Sequence, residues 1–501
     1  MTDDPLFIAV DLGAGSGRVF LTDFGEDRFG LEEVRRFNYP PSYVDRHLRW
    51  DFPKILEEIK IGLHACGGRA NDIGRRICSI GVDSWGVDYG LVDSASALIQ
   101  NPVCYRDERT DGMMERVFTI IPREEIFART GIQFLQLNTL FQLFAQSQIE
   151  NGIPDSATRM LMIPDLVNLF LTGQAVSEYT NSTTTQLLNA ITGKWDKELT
   201  DPLGLPSRLF CEIVPAGSDL GPMTRRVDDE LCLRDVRVTA TASHDTASAI
   251  AGTPLDNGWA YISSGTWSLV GVELENPLIN RAVAESNFTN EGGAFGSVRF
   301  LKNVMGLWIL ESCRREWAQS RRNVDYESLL SDVASIEDGC ALIFPDDLRL
   351  FNPPSMLNAI QEQLQENGFV DRIMIHEPTF IAKTILNSLA LRYASVVRTI
   401  ESLTGRKIQG IHIVGGGSRN DYLNQATATA TGLPVRAGSV EATVIGNALI
   451  QSIADGRFES LAEARRYVRE HFQSKEYDPI PSRAWEEAKE RYEEIDGRYK
   501  N

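Results

Sequence analysis

The sequence predicts an α/β protein of two duplicated halves with a cleft between the copies. Three observations carry this. A chain of 501 residues is too long for one hydrophobic core, and two or three domains are expected. A strand, a Gly/Ser-rich turn and a second strand open the chain, and the pattern returns at Trp259–Val272. Strand-like runs alternate with amphipathic helical stretches throughout. The expected domains are 1–250 and 251–501, with Asp245 near the hinge.

The opening hairpin pairs Phe7–Leu12 with Val19–Phe24 across Gly13-Ala14-Gly15-Ser16-Gly17-Arg18. A dinucleotide-binding fold would need a helix directly after those glycines. A β-branched, aromatic run follows instead, so the turn reads as an ordinary glycine hairpin or as backbone N–H groups free to converge on phosphate oxygens. A strand over Ile77–Asp83 turns through Ser84-Trp85-Gly86 into a second run, Val87–Asp93. Helices follow from Asn138 to Glu150, closed by Asn151-Gly152, and from Pro164 to Thr172, closed by Gly173.

At the midpoint Val238–Ser243 reads as a strand and leads into His244-Asp245-Thr246-Ala247-Ser248-Ala249, a helix start. Asp245 is either the helix N-cap or an ionised base held at a strand-to-helix junction. Leu255–Gly258 reads as a linker, and Ile381–Leu403 as a long amphipathic helix stopped at Gly405. Ile411–Val414 is a strand feeding Gly415-Gly416-Gly417-Ser418-Arg419-Asn420 and a helix, an arrangement suited to anions.

The net charge of −19 argues against nucleic acid and anionic membrane as partners. No apolar run approaches the roughly 18 residues of a membrane span. Met1–Pro5 lacks the features of a signal peptide, so a cytoplasmic protein is expected. Cysteines at 66, 78, 104, 211, 232, 313 and 340 form no C-x-x-C pair and read as reduced apolar fillers. The six histidines are dispersed, which disfavours zinc, and His47, His64, His376, His412 and His471 have no readable chemical neighbourhood. Trp85 and Trp267 read equally well as core aromatics.

Five segments in order carry a resemblance: Gly81–Tyr89, His244–Ala249, Ser263–Ser268, Asn287–Gly293 and Leu301–Trp308. Together they resemble the FGGY family of carbohydrate kinases, within the actin/Hsp70/sugar-kinase superfamily, from Ala9–Gly13 to Glu441–Asn447. The resemblance implies actin-like (ribonuclease H-like) ATPase domains with mixed sheets flanked by helices, using ATP and Mg²⁺. It implies Asp245 as the base that takes the proton from a sugar hydroxyl. His244, Asp245 and Thr246 would flank the sugar, with Gly86 and Asn303 completing its pocket. Ala14, Gly15, Ser16, Gly17 and Arg18 would lie under the ATP phosphates, with Thr266 in the equivalent loop of the second domain and Gly416 near the nucleotide. Asp11 would hold Mg²⁺ through water.

Glu311 stands where the family pattern has Gln. A carboxylate beside a triphosphate would repel it, so Glu311 either faces the base or ribose or does not touch ATP. The sugar implied is L-rhamnulose, phosphorylated on its 1-hydroxyl in rhamnose catabolism. L-fuculose or another ketose is the alternative, and the expected state is a monomer or weak homo-oligomer. A non-metabolic actin- or Hsp70-like ATPase would need a further binding domain, and the sequence after Tyr467 is too short for one.

Overall fold

The computed structural model describes residues 5–25, 29–148, 152–320, 324–336, 341–369 and 377–499. Met1–Asp4, Glu150, Asn151, Cys340 and His376, which entered the reading of the sequence, lie outside them. Two compact units emerge: one of Met1–Pro254, Glu273–Phe300 and Ala442–His471, the other of Leu255–Val272, Leu301–Glu441 and Phe472–Asn501. The first unit draws on both linear halves, whereas the second lies wholly within the second half.

In the first unit, strand β1 (Leu6–Gly13) pairs antiparallel with β2 (Ser16–Phe24), which pairs antiparallel with β3 (Phe29–Asn38). On its other side β1 runs parallel to β4 (Ile77–Ser84). Beyond β4 lie β5 (Ser218–Pro222) and β6 (Arg237–Ala240), in the order β5-β6-β4-β1-β2-β3. Phe7, Ile8, Ala9 and Val10 are wholly buried, as expected of a strand covered on both faces.

The turn of the opening hairpin is tighter than its composition suggests. Gly13 pairs with Ser16, so Ser16, Gly17 and Arg18 belong to β2 and only Ala14-Gly15 form the bend. Gly15 sits at φ 128, which favours glycine.

Helix α1 (Phe52–Ile73) is started by Asp51, whose side chain accepts from Lys54 N–H, and ends at left-handed Gly74. The two predicted helices occur as Thr139–Gln148 and Ile163–Thr172. The strand expected at Val87 begins two residues later, at Tyr89.

Helix α2 (Asp245–Ala251) follows β6, and a later helix, which we label α6 (Ala442–Ala454), packs on it within the same unit. The approach is backbone to backbone: a Cβ on Gly446 would stand 1.7 Å from the Ser248 carbonyl oxygen. Helix α6 also reaches the sheet. Its Gln451 donates to Ile8 O (2.9 Å) and accepts from Ser79 Oγ (2.7 Å), bracing β1 and β4.

The second unit repeats the pattern. Strand β7 (Trp259–Ser264) pairs antiparallel with β8 (Trp267–Leu274) and parallel with a strand we label β11 (Gly410–Val414). Strand β9 (Thr289–Gly292) belongs to the first unit, and β10 (Val298–Met305) continues into the second from Leu301. With β12 (Val435–Ala437) and β13 (Lys475–Tyr477), the second unit's order is β10-β8-β7-β11-β12-β13. The hairpin, two parallel steps and an antiparallel edge repeat those of the first unit, and β9 adds a seventh strand to this sheet beside β10.

Helix α3 (Trp308–Gln319) follows β10. The long helix α4 (Pro378–Thr404) ends at left-handed Gly405, as its sequence predicts. Helix α5 (Asp421–Thr431) is capped by Asn420, after a short 3₁₀ turn over Gly416–Arg419. The six described cysteines are free.

Candidate active site

After β6 the chain leaves the sheet through Thr241–Ser243 and is held on several sides. Ser84 N–H donates to Ser243 O (2.9 Å), and His244 N–H donates to Thr180 Oγ1 (3.2 Å). The buried Glu178 carboxylate accepts from Ser243 N–H (3.0 Å), Ser243 Oγ (2.7 Å) and Thr180 Oγ1 (2.6 Å). His244 occupies the N-cap position of α2 in an extended conformation, and Asp245 is the first helical residue. The capping role considered for Asp245 therefore falls to His244's position, and the carboxylate is released from it.

Asp245 Oδ1 accepts from Thr246 N–H (2.6 Å) and Thr246 Oγ1 (3.2 Å), and His244 Nε2 lies 3.4 Å away. Oδ2 has no hydrogen-bond partner among the described residues. The carboxyl sits deep in the unit, yet 31% of its side-chain surface stays accessible. Burial raises its pKa above the usual carboxylate range; His244 and the Thr246 bonds oppose that rise, and Asp11 reinforces it.

Asp11 lies on β1 between two register partners, Asp83 on β4 and Arg18 on β2. Arg18 Nε stands 3.2 Å from Asp11 Oδ2, so its guanidinium is engaged with this acid. Asp83 is wholly buried and is pushed well up by burial and by Asp11. Asn447 of α6 donates to its Oδ2 (2.5 Å), while Oδ1 has no partner among the described residues. The Tyr39 hydroxyl lies 2.6 Å from Gly13 O and 2.9 Å from Ser16 O, tying down the hairpin turn. Its pKa is raised first by burial, then by Asp11, Asp245 and Asp83, so the ring sits in the field of three carboxylates.

Among the described residues no three acidic, histidine or cysteine side chains close into a metal cage. Mg²⁺ keeps several waters and binds one or two carboxylates plus phosphate oxygens. Asp11, with the unpartnered Asp83 oxygen nearby, fits such an ion.

Gly86 follows β4, where Trp85 N–H donates to Leu12 O (3.1 Å). A Cβ on Gly86 would stand 3.0 Å from Thr184 Oγ1. Trp85 is a core aromatic: its ring centroid is 4.8 Å from that of Trp50, and both indole N–H groups donate to Asp88 Oδ2 (3.0 and 2.7 Å). Tyr105 N–H and Gln142 Nε2 complete the Asp88 shell (3.2 and 3.1 Å). Burial raises Asp88 to about 6 against these four donors.

In the second unit, Thr266 forms the β7–β8 turn, and its carbonyl accepts from Gly306 N–H (3.1 Å) and Trp308 N–H (3.2 Å). The glycine turn after β11 packs on the end of β7. A Cβ on Gly417 would overlap Ser264 Oγ at 2.0 Å, and Gly415 sits at φ 81 with Ser264 O at 2.9 Å from its Cβ position. Nothing lies within 4 Å of the Cβ position of Gly416, which is exposed. The turn thus offers open backbone in this unit. Asn303 is half-buried on β10. Glu311, in the first turn of α3, is exposed and pairs with Arg314 (2.7 Å).

The first unit thus gathers Asp11, Arg18, His244, Asp245 and Thr246, with Gly86 on the adjoining loop. The second carries Thr266 and Gly416 at one sheet end, with Asn303 and Glu311 on β10 and α3. Sequence reasoning missed Tyr39, Asp83, Glu178, Glu291 and Arg299. Asp83 and Glu291 fell inside motifs that were noticed, but no local spacing reveals which distant side chain a buried acid meets.

The chain matches the N-terminal domain model of the FGGY family of carbohydrate kinases over residues 6–252 and the C-terminal domain model over residues 260–454. It is 40% identical over 483 residues to a rhamnulokinase of Bacteroides thetaiotaomicron, covering 96% of this chain and 97% of that protein. A rhamnulokinase of Pectobacterium carotovorum is 41% identical over 475 residues, covering 94% and 92%. Among solved structures, gluconate kinase from Lactobacillus acidophilus superposes with a TM-score of 0.81 at 18% identity, over 99% of this chain and 98% of that one. Xylulose kinase from the same organism gives 0.80 at 16% identity, over 98% and 97%. With a repeated sheet, a glycine turn in each unit and a deep carboxylate at a helix start, the chain belongs to the FGGY family of carbohydrate kinases.

Proposed function

We propose that this kinase transfers the terminal phosphoryl group of ATP to the 1-hydroxyl of L-rhamnulose, giving L-rhamnulose 1-phosphate and ADP in rhamnose catabolism. The observation that carries the chemistry is Asp245: deep, partly accessible, and with no partner on Oδ2 among the described residues. Identity of about 40% to rhamnulokinases along nearly the whole chain supports the choice of sugar.

In this reading the sugar hydroxyl gives its proton to Asp245 as its oxygen bonds to the terminal phosphorus, and the bond from that phosphorus to the bridging oxygen breaks. His244, Thr246, Gly86 and Asn303 orient the sugar. Ala14, Gly15, Ser16, Gly17 and Arg18, with Thr266 and Gly416, bind nucleotide, the glycines letting phosphate oxygens approach the backbone without side chains intervening. Arg18 acts there through Asp11. Mg²⁺, which Asp11 would hold through water, would supply charge neutralisation for a loose transition state. Glu311, paired with Arg314, is kept from the phosphates and serves base or ribose if it touches ATP.

A panel of L-rhamnulose, L-fuculose, D- and L-xylulose, L-ribulose and glycerol in a coupled ADP assay tests this. L-Rhamnulose should give the highest kcat/KM. Preference for glycerol or D-xylulose overturns the substrate, and ADP release independent of any sugar overturns the kinase mechanism.

A further inference from the structure

We propose that Glu291 and Arg299 are positioning residues that set the tautomer of His244 and thereby decide which oxygen of Asp245 is the base. The inference rests on the reading of Asp245 given above. All four residues belong to the first unit.

Arg299 is a wholly buried arginine on β10 whose Nε donates to Gly292 O (3.0 Å). Its Nη2 is 3.0 Å from Glu291 Oε2 and 3.0 Å from His244 Nδ1. Guanidinium nitrogens only donate, and an amino group has two hydrogens, one for each of these partners. Nδ1 of His244 also lies 3.4 Å from Glu291 Oε2, but its shorter contact is to Nη2, which can only donate, so Nδ1 offers its lone pair and the ring proton is left on Nε2. Nε2 is the atom 3.4 Å from Asp245 Oδ1.

The consequence falls on Asp245. Oδ1 accepts from Thr246 N–H and Thr246 Oγ1 and is faced by His244 Nε2 at 3.4 Å, whereas Oδ2 has no partner among the described residues. The proton leaving the sugar hydroxyl therefore goes to Oδ2. With the opposite tautomer, the lone pair on Nε2 would face Oδ1 and repel it, leaving Thr246 alone to hold that oxygen.

Two measurements test this. In ¹⁵N-histidine-labelled enzyme, with the signals assigned through His244→Gln, His244 should show an unprotonated Nδ1 at neutral pH. A protonated Nδ1 overturns the proposal. In a kinetic cycle, Arg299→Met should lower kcat about tenfold or more, with both KM values within about threefold, as for loss of an aligned base. His244→Gln should do the same, and the double variant should be no slower than His244→Gln by more than about twofold. Additive losses would mean that Arg299 acts on stability alone and overturn the clamp. Should Arg299→Met not fold, Glu291→Gln enters the same cycle with the same two outcomes. Near-normal turnover of Asp245→Asn would instead overturn the base itself, whatever the histidine signal shows.

Discussion

At the scale of single residues, the proposed mechanism rests on one carboxylate, Asp245, that is deep but reachable. Asp245→Asn should bind sugar and nucleotide in calorimetry yet lose about 10²–10⁴ in turnover, the usual worth of a general base. Its raised pKa fixes the sign of the pH profile. A base at Asp245 would be disabled when protonated, so kcat/KM should fall as pH falls, with the acidic limb above the ordinary carboxylate range near 3.9. A limb at or below that range would contradict the burial seen here. Asp88 shows the same physics in a structural role, since two indole N–H groups and two amides converge on a carboxylate that still titrates at about 6.

At the scale of elements, helix α2 carries Asp245, and its seat depends on α6. Gly446→Ala would drive a methyl into the Ser248 carbonyl, 1.7 Å away, where neither backbone can yield cheaply. A loss of about 1–3 kcal/mol is expected from such overpacking, read in denaturant melts. Turnover should fall as well, because α2 moves with its neighbour. Wild-type melts and rates would show that the two helices part without cost. Asn447 and Gln451 on α6 explain why the element matters twice, as they bond to Asp83 and to the β1 backbone beneath the site.

At the scale of the whole molecule, five buried carboxylates (Asp83, Asp88, Asp165, Glu178 and Asp245) have pKa values raised by burial. A group whose folded pKa is raised binds its proton more tightly in the folded state. The stability it contributes is present below its unfolded pKa and is lost as pH rises through the folded value. Asp219, Asp325, Asp347, Glu366 and Asp421 are shifted the other way through ion pairs and hydrogen bonds. They are mostly solvent-screened and weigh less. Tm should therefore rise as pH falls through about 6, the value to which burial carries Asp88, aided by relief of the −19 net charge. A Tm that peaks at pH 8 would refute this balance.

Much of this was legible without coordinates, because strands, glycine turns and helix ends are written locally. The hairpins at Phe7 and Trp259, the stops at Gly173 and Gly405, and the His244-Asp245 junction all rest on propensities of adjacent residues. The turn at Gly13–Arg18 was overdrawn, because register across β1 and β2 is a property of the pair and not of either strand. Only the tertiary structure could bring Glu291 and Arg299 to His244, or Asn447 to Asp83, since those partners are separated in sequence and a buried charge names its need without naming its partner. Sequence alone determined which acid stands at the start of a helix; packing decided how deep it lies, what saturates one of its oxygens and why the other stays free.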